Sequence, residues 1–148
     1  MEILPHFWVT HFNESYNIIV KKKINNIIYL SKYEKFVKKD NIEQIRIPFD
    51  YDIDGSIDDM NINVYQHLFD ITDYIHEKIC NNENILLIGY IDRQDIDVVI
   101  ISYFIRFGKM TLQNAINILK SKKDDIFNPK CLFFSALNKF YNELNKFN

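Results

Sequence analysis

Along the second half of the chain, apolar residues fall at helical intervals, then in an unbroken run, then at helical intervals again. Val64, Leu68, Ile71, Ile75 and Ile79 are spaced four, three, four and four, which places them on one stripe of a helix. After the polar turn Asn81-Asn82-Glu83-Asn84, Ile85-Leu86-Leu87-Ile88 is a continuous apolar run that predicts a central strand covered on both faces. From Ile96 to Phe107 the chain is apolar nearly all round, which predicts the most buried helix. Leu112, Ala115, Ile116 and Leu119 predict an amphipathic helix. Phe133, Leu137, Phe140 and Leu144 predict a last one, with Pro129 in its first turn and Asn128 as its cap.

The first half reads mainly as strands. Phe7-Trp8-Val9 predicts a short strand, as do Ile24 to Leu30 and the alternating Ile42 to Ile47 that Pro48 closes. Between the first two, Asn13 or Ser15 is the expected cap of a short helix carrying Tyr16, Ile19 and Val20. That helix should end in Lys21-Lys22-Lys23, where cations suit the negative end of a helix. Strands separated by helices, with one strand covered on both faces, predict an α/β domain whose central, mostly parallel sheet is flanked by helices. No repeat and no Pro/Gly/Ser linker divides it, so residues 1–148 are expected to form a single domain.

Composition narrows the class. With 148 residues, 47% hydrophobic, the chain can bury a sizeable core, which argues against a disordered or disulfide-stapled protein. Lys+Arg of 18 against Asp+Glu of 20 leaves no positive field that would call for nucleic acid. Two cysteines, Cys80 and Cys131, make no framework and fit a reducing compartment. Neither a secretory leader nor a membrane-length apolar run is evident, so the expected location is cytoplasmic.

The candidate chemistry lies between the central strand and the buried helix. Gly89 to Asp95 connects them, and such loops in α/β proteins often hold an anion, because backbone N–H groups and the helix N-terminus converge there. The segment from Ile85 to Ile105 resembles, without a gap, the VxVHCxxGxxRSxxxxxAYLM pattern of the dual-specificity phosphatases, a family of the protein tyrosine phosphatase superfamily. Met110-Thr111-Leu112-Gln113-Asn114-Ala115 is similar to that family's MSLxxA, and Asn128 to Phe140 to its PNxxFxxQLxxFE spacing. Upstream, the predicted strands fall where the family's early strands lie, and Val64 to Cys80 takes the place of its FDxAxxFI helix. The resemblance covers nearly the whole chain and implies a protein tyrosine phosphatase-like fold.

It does not carry the catalytic residues across. The family's nucleophilic Cys falls on Gly89 and the His before it on Ile88; its loop Gly falls on Asp92, its phosphate-binding Arg on Asp95 and the next Ser on Ile96. The chemistry needs a thiolate to attack phosphorus, with Arg and loop amides holding the equatorial oxygens. Gly89 has nothing to attack with, and Asp95 sets an anion where phosphate needs a bidentate cation. STYX-type members also carry Gly for Cys but keep the Arg. The family's general acid aligns nearest to Tyr51, flanked by Asp50 and Asp52. The degenerate loop thus comprises Ile88, Gly89, Tyr90, Ile91, Asp92, Arg93, Gln94, Asp95 and Ile96, and the expectation is a pseudophosphatase, not an enzyme.

The resemblance implies action through protein partners, as competitor, scaffold or signalling modulator. Host signalling proteins or the substrates of active phosphatases are the expected targets, with Asp50, Tyr51, Asp52 and Asp54 as the first contact loop. Richness in Ile, Asn and Lys points to an AT-rich genome and a viral origin of the pox type, which would place the protein in host cytoplasm; relatives in that branch can dimerise. The alternative is a phosphopeptide reader in which loop amides and Arg93 hold phosphate without chemistry. Asp92 and Asp95 are expected to cap the helix N-terminus rather than join Asp97 in a metal site, and no cofactor is expected. Cys80 and Cys131 sit in helical patterns and read as inert thiols. His6, His11, His67 and His76 have no metal spacing such as HExxH. Trp8, Phe133, Phe134, Phe140 and Tyr141 read as core.

Overall fold

A tight turn at Pro5-His6, with His6 in the left-handed region (φ 74°), folds β1 (Glu2–Leu4) back on β2 (Phe7–His11) as an antiparallel pair. The remaining strands of this computed structural model run parallel: β3 (Asn26–Tyr29), β4 (Glu43–Arg46) and β5 (Ile85–Gly89), in the sheet order β1-β2-β5-β3-β4. The helices are α1 (Ser15–Lys21), α2 (Ile57–Cys80), α3 (Asp95–Phe107), α4 (Leu112–Lys122) and α5 (Phe134–Asn145). The structure describes residues 1–49, 55–90, 94–127 and 130–146. They group into two compact units, one of Met1–Phe49 with Asp73–Ile96, the other of Asp50–Thr72 with Asp97–Asn148.

The first unit holds the whole sheet. β5 lies in the middle and is buried along its length, as its unbroken apolar run predicts. Ile19, Ile24, Ile27, Tyr29, Leu86 and Ile88 form one core cluster, against which Trp8, Phe12, Ile18, Val37 and Ile42 pack. The parallel crossover from β3 to β4 has no helix, so side chains hold it instead. Tyr29 Oη and the Val37 N–H both donate to Gln44 Oε1 (2.8 and 3.0 Å), and Gln44 Nε2 donates to the Val37 carbonyl at 2.9 Å. The Arg46 guanidinium donates to the carbonyls of Ser31 and Glu34 and lies over the rings of Tyr29 and Phe36.

Helix ends in this chain are set by backbone geometry more than by charge. α1 stops because Lys23 turns left-handed (φ 51°), which lets the Ile24 N–H reach the Ile19 carbonyl (3.4 Å) while both side chains stay in the core cluster. α2 ends the same way: Asn82 is left-handed (φ 59°), its N–H meets the Ile79 carbonyl, and the Glu83 N–H meets the Lys78 carbonyl, each at 3.0 Å. At the start of α1 the expected cap is not made. Asn13 lies in a 3-10 turn, and Ser15 is the first helical residue, its hydroxyl donating to the Phe12 carbonyl. β1 has no counterpart in the sequence reading.

The second unit is helical. Asn61, 4% exposed, ties α2 to the approach of α5. Its amide donates to the carbonyls of Ile57 (2.8 Å) and Leu132 (3.0 Å) and accepts from the Ala136 N–H (2.8 Å). Thr111 caps α4 by accepting from the Asn114 N–H. α5 begins at Phe134, so Pro129 is not in its first turn; Asn128 and Pro129 themselves lie outside the described residues. The later start puts Phe133 and Phe140 in the core but leaves Phe134 half exposed, and it leaves Cys131 in the preceding loop rather than on a helix. No helix among the described residues is long and apolar enough to cross a membrane.

Candidate functional site

β5 carries the chain to Gly89, and α3 leaves from Asp95. Gly89 pairs with His11 on β2, and the neighbouring Ile88 carbonyl accepts from the Leu30 N–H at 3.0 Å, so the strand end is fixed from both sides. Tyr90 is held beyond the strand: Ser31 Oγ donates to its phenol oxygen at 2.6 Å, and the same hydroxyl accepts from the Tyr33 N–H at 3.0 Å. Ile91, Asp92 and Arg93 lie outside the described residues, as do Asp50, Tyr51, Asp52 and Asp54. What the structure brings together is Ile88, Gly89, Tyr90, Gln94, Asp95 and Ile96.

Gly89 is not a glycine of conformational need, since none of the described glycines has a positive φ. It is a glycine of space. A Cβ built on it would stand 2.6 Å from Ile96 Cγ1, 2.9 Å from Ile96 Cδ1 and 3.5 Å from Asp95 Oδ1. The first turn of α3 therefore leans directly over the residue, and the volume a side chain would need is filled by isoleucine. Asp95 is 1% exposed, and its Oδ1 accepts from the Ile96 N–H at 3.2 Å. The helix start thus carries its own buried carboxylate, the arrangement expected of an acidic residue at the positive end of a helix. Gln94 is also buried, at 9% exposure.

Asp97 is engaged elsewhere. In the second unit its carboxylate accepts from Lys123 Nζ at 2.9 Å, and burial lifts its pKa above the usual carboxylate value although Lys123 opposes the shift. Among the described residues no group of three or more His, Cys, Asp or Glu converges in a metal-like cluster. His11, at the end of β2 beside Gly89, has a buried Nδ1 without a hydrogen-bond partner among the described residues. Sequence reasoning set His11 aside with the other histidines; only the strand register places it next to Gly89.

No protein-family model matches the sequence. Over 94 residues, 63% of this chain, it is 33% identical to "Putative tyrosine phosphatase 123R" of Invertebrate iridescent virus 6, and the match spans 66% of that relative's length. Among solved structures, human DUSP28 superposes with a TM-score of 0.80 at 15% identity, covering 99% of each chain. A leucine rich repeat and phosphatase domain containing protein from Entamoeba histolytica superposes at 0.78 with 18% identity, covering 99% of this chain and 93% of that one. The fold is that of an α/β protein tyrosine phosphatase-like domain of the dual-specificity type, and the viral relative and the structural neighbours together support that superfamily.

Proposed function

We propose that this protein is a catalytically inactive member of the phosphatase superfamily that acts by binding another protein. The observation that carries the reading is the fit of Ile96 over Gly89: where the resemblance puts a nucleophilic cysteine there is no side chain, and the space for one is already occupied. A buried Asp95 where the resemblance puts a phosphate-clamping arginine supports it further, because a phosphate dianion would meet an anion instead of a bidentate donor. With thiolate and cation both missing, the retained framework is left with recognition.

The partner is a protein of the kind that active phosphatases dock on; the contact loop expected from the sequence is Asp50, Tyr51, Asp52 and Asp54. In the first unit Tyr16 and Val20, four residues apart on α1, and Tyr33 remain 70, 49 and 80% exposed, apolar groups that a partner would cover.

Two assays on the purified chain test the reading. Incubation with para-nitrophenyl phosphate and with a phosphotyrosyl peptide should give no hydrolysis above buffer. Calorimetric titration should show no difference between that peptide and its unphosphorylated twin. Turnover proportional to protein concentration would overturn the proposal and align the chain with the name of its viral relative. Phosphate-dependent heat that disappears in Arg93→Ala would instead make the loop a phosphopeptide reader.

A further inference from the structure

At the C-terminal end of α2, away from the strand-to-helix loop, two metal-ligating side chains meet, one exposed and one half-buried. Cys80 is the last helical residue and is exposed, and its Sγ lies 3.4 Å from His76 Nε2, one helical turn earlier. Neither HExxH spacing nor a paired cysteine marks these residues in the sequence; their signal is His-x-x-x-Cys on a helix, which puts the two side chains on the same face.

Three features bear on what this pair does. A tetrahedral zinc ion with bonds of about 2.3 Å to sulfur and 2.05 Å to nitrogen holds those atoms about 3.6 Å apart. The observed 3.4 Å is that of a hydrogen bond between the two side chains, so chelation asks only for a slight separation and a turn of the imidazole that aims Nε2 at the shared ion. The C-terminal end of a 24-residue helix is negative, which welcomes a cation. Lys78, the nearby cation that would repel an ion, is drawn into an ion pair with Glu43 at 2.9 Å, while Glu77 and Glu83 add negative charge around it.

We infer that His76 and Cys80 form a chelating site for a borderline-soft divalent ion of the zinc class, with water completing the coordination. The ion takes the place of the thiol proton, which leaves to solvent, and it bridges the last turn of α2. This site does not depend on the reading of the Gly89 loop.

The test is a titration of the full, reduced chain with Co²⁺, followed by displacement with Zn²⁺. Binding should produce a near-ultraviolet thiolate-to-cobalt charge-transfer band that Zn²⁺ abolishes. Cys80→Ser should remove the band, and Cys131→Ser should leave it unchanged. His76→Ala and His76→Gln should each weaken apparent affinity roughly a hundredfold, the advantage of a second tethered ligand. Cys80 is exposed and His76 half-buried, so folding of each variant is checked by far-ultraviolet circular dichroism. Absence of the band in the wild-type chain, or an affinity unmoved by both His76 variants, would overturn the inference.

Discussion

Restoring a side chain at position 89 is the most direct probe of the loop. Gly89→Cys introduces a Cβ at 2.6 Å from Ile96 Cγ1 and 2.9 Å from Cδ1, against ordinary carbon contacts of about 3.5–4.0 Å. Cδ1 can swing, but Cγ1 sits one bond from a β-branched carbon with few allowed rotamers, so the overlap of about 1 Å must be relieved by moving α3 or the strand end. Overpacking of this kind costs about 1–3 kcal/mol. Ile96→Ser alone removes a side chain that is 4% exposed and should cost about 2–5 kcal/mol, as large-to-small core changes do. In the double variant the sulfur enters the vacated volume, so Gly89→Cys becomes nearly neutral there. The expected coupling is about 1–3 kcal/mol in favour of the double variant. Urea unfolding of the four proteins measures it, and the single tryptophan, Trp8, packed at the edge of the core cluster beside β5, reports on this unit. Additivity within about 0.5 kcal/mol would refute the steric argument. Gly89→Cys should also show no phosphatase turnover, because Asp95 still opposes phosphate and a thiolate beside it.

Two further outcomes are expected. Lys23→Gly should raise stability by about 1 kcal/mol in the same urea assay, because glycine removes the left-handed penalty of a β-carbon at φ 51° while the Ile24-to-Ile19 backbone bond is kept. Asp97→Asn should change the pH dependence of stability. Burial raises the native pKa of Asp97 above its unfolded value of 3.8, with Lys123 and the Phe127 N–H opposing the shift and Asp125 adding to it. The native state therefore holds the proton more tightly, and its contribution is greatest below pH 3.8 and is lost as pH rises through the native value. In Asp97→Asn that acid-side gain should vanish; an unchanged stability–pH curve from pH 3 to 7 would contradict it.

How much was legible follows from how much each segment depends on partners far away in sequence. β5 and α3 read clearly because burial on every side writes itself as unbroken apolar runs, Ile85 to Ile88 and Ile96 to Phe107. β1 did not: Glu2-Ile3-Leu4 is three residues long and exists through its hairpin with β2. Pro129 and Asn128 gave a locally sound helix start, but α5 begins at Phe134, where Asn61 receives the Ala136 N–H from another helix. At the candidate site, the ordered resemblance pointed to Gly89, Asp95 and Ile96. That Ile96 covers Gly89 was not readable, because it depends on the angle at which α3 departs. The His76–Cys80 contact was readable from helical spacing alone.

The closeness of Ile96 to Gly89 also raises a barrier to change. Either order of single substitutions passes through a less stable protein that has gained no chemistry, overpacked if position 89 grows first and left with a void if position 96 shrinks first. Each residue hides the other from selection: a larger residue 89 is penalised while isoleucine stays, and a smaller residue 96 opens a void while glycine stays. The pair acts as a ratchet, and a lineage carrying both is held to the roles that a loop without a side chain at 89 can perform.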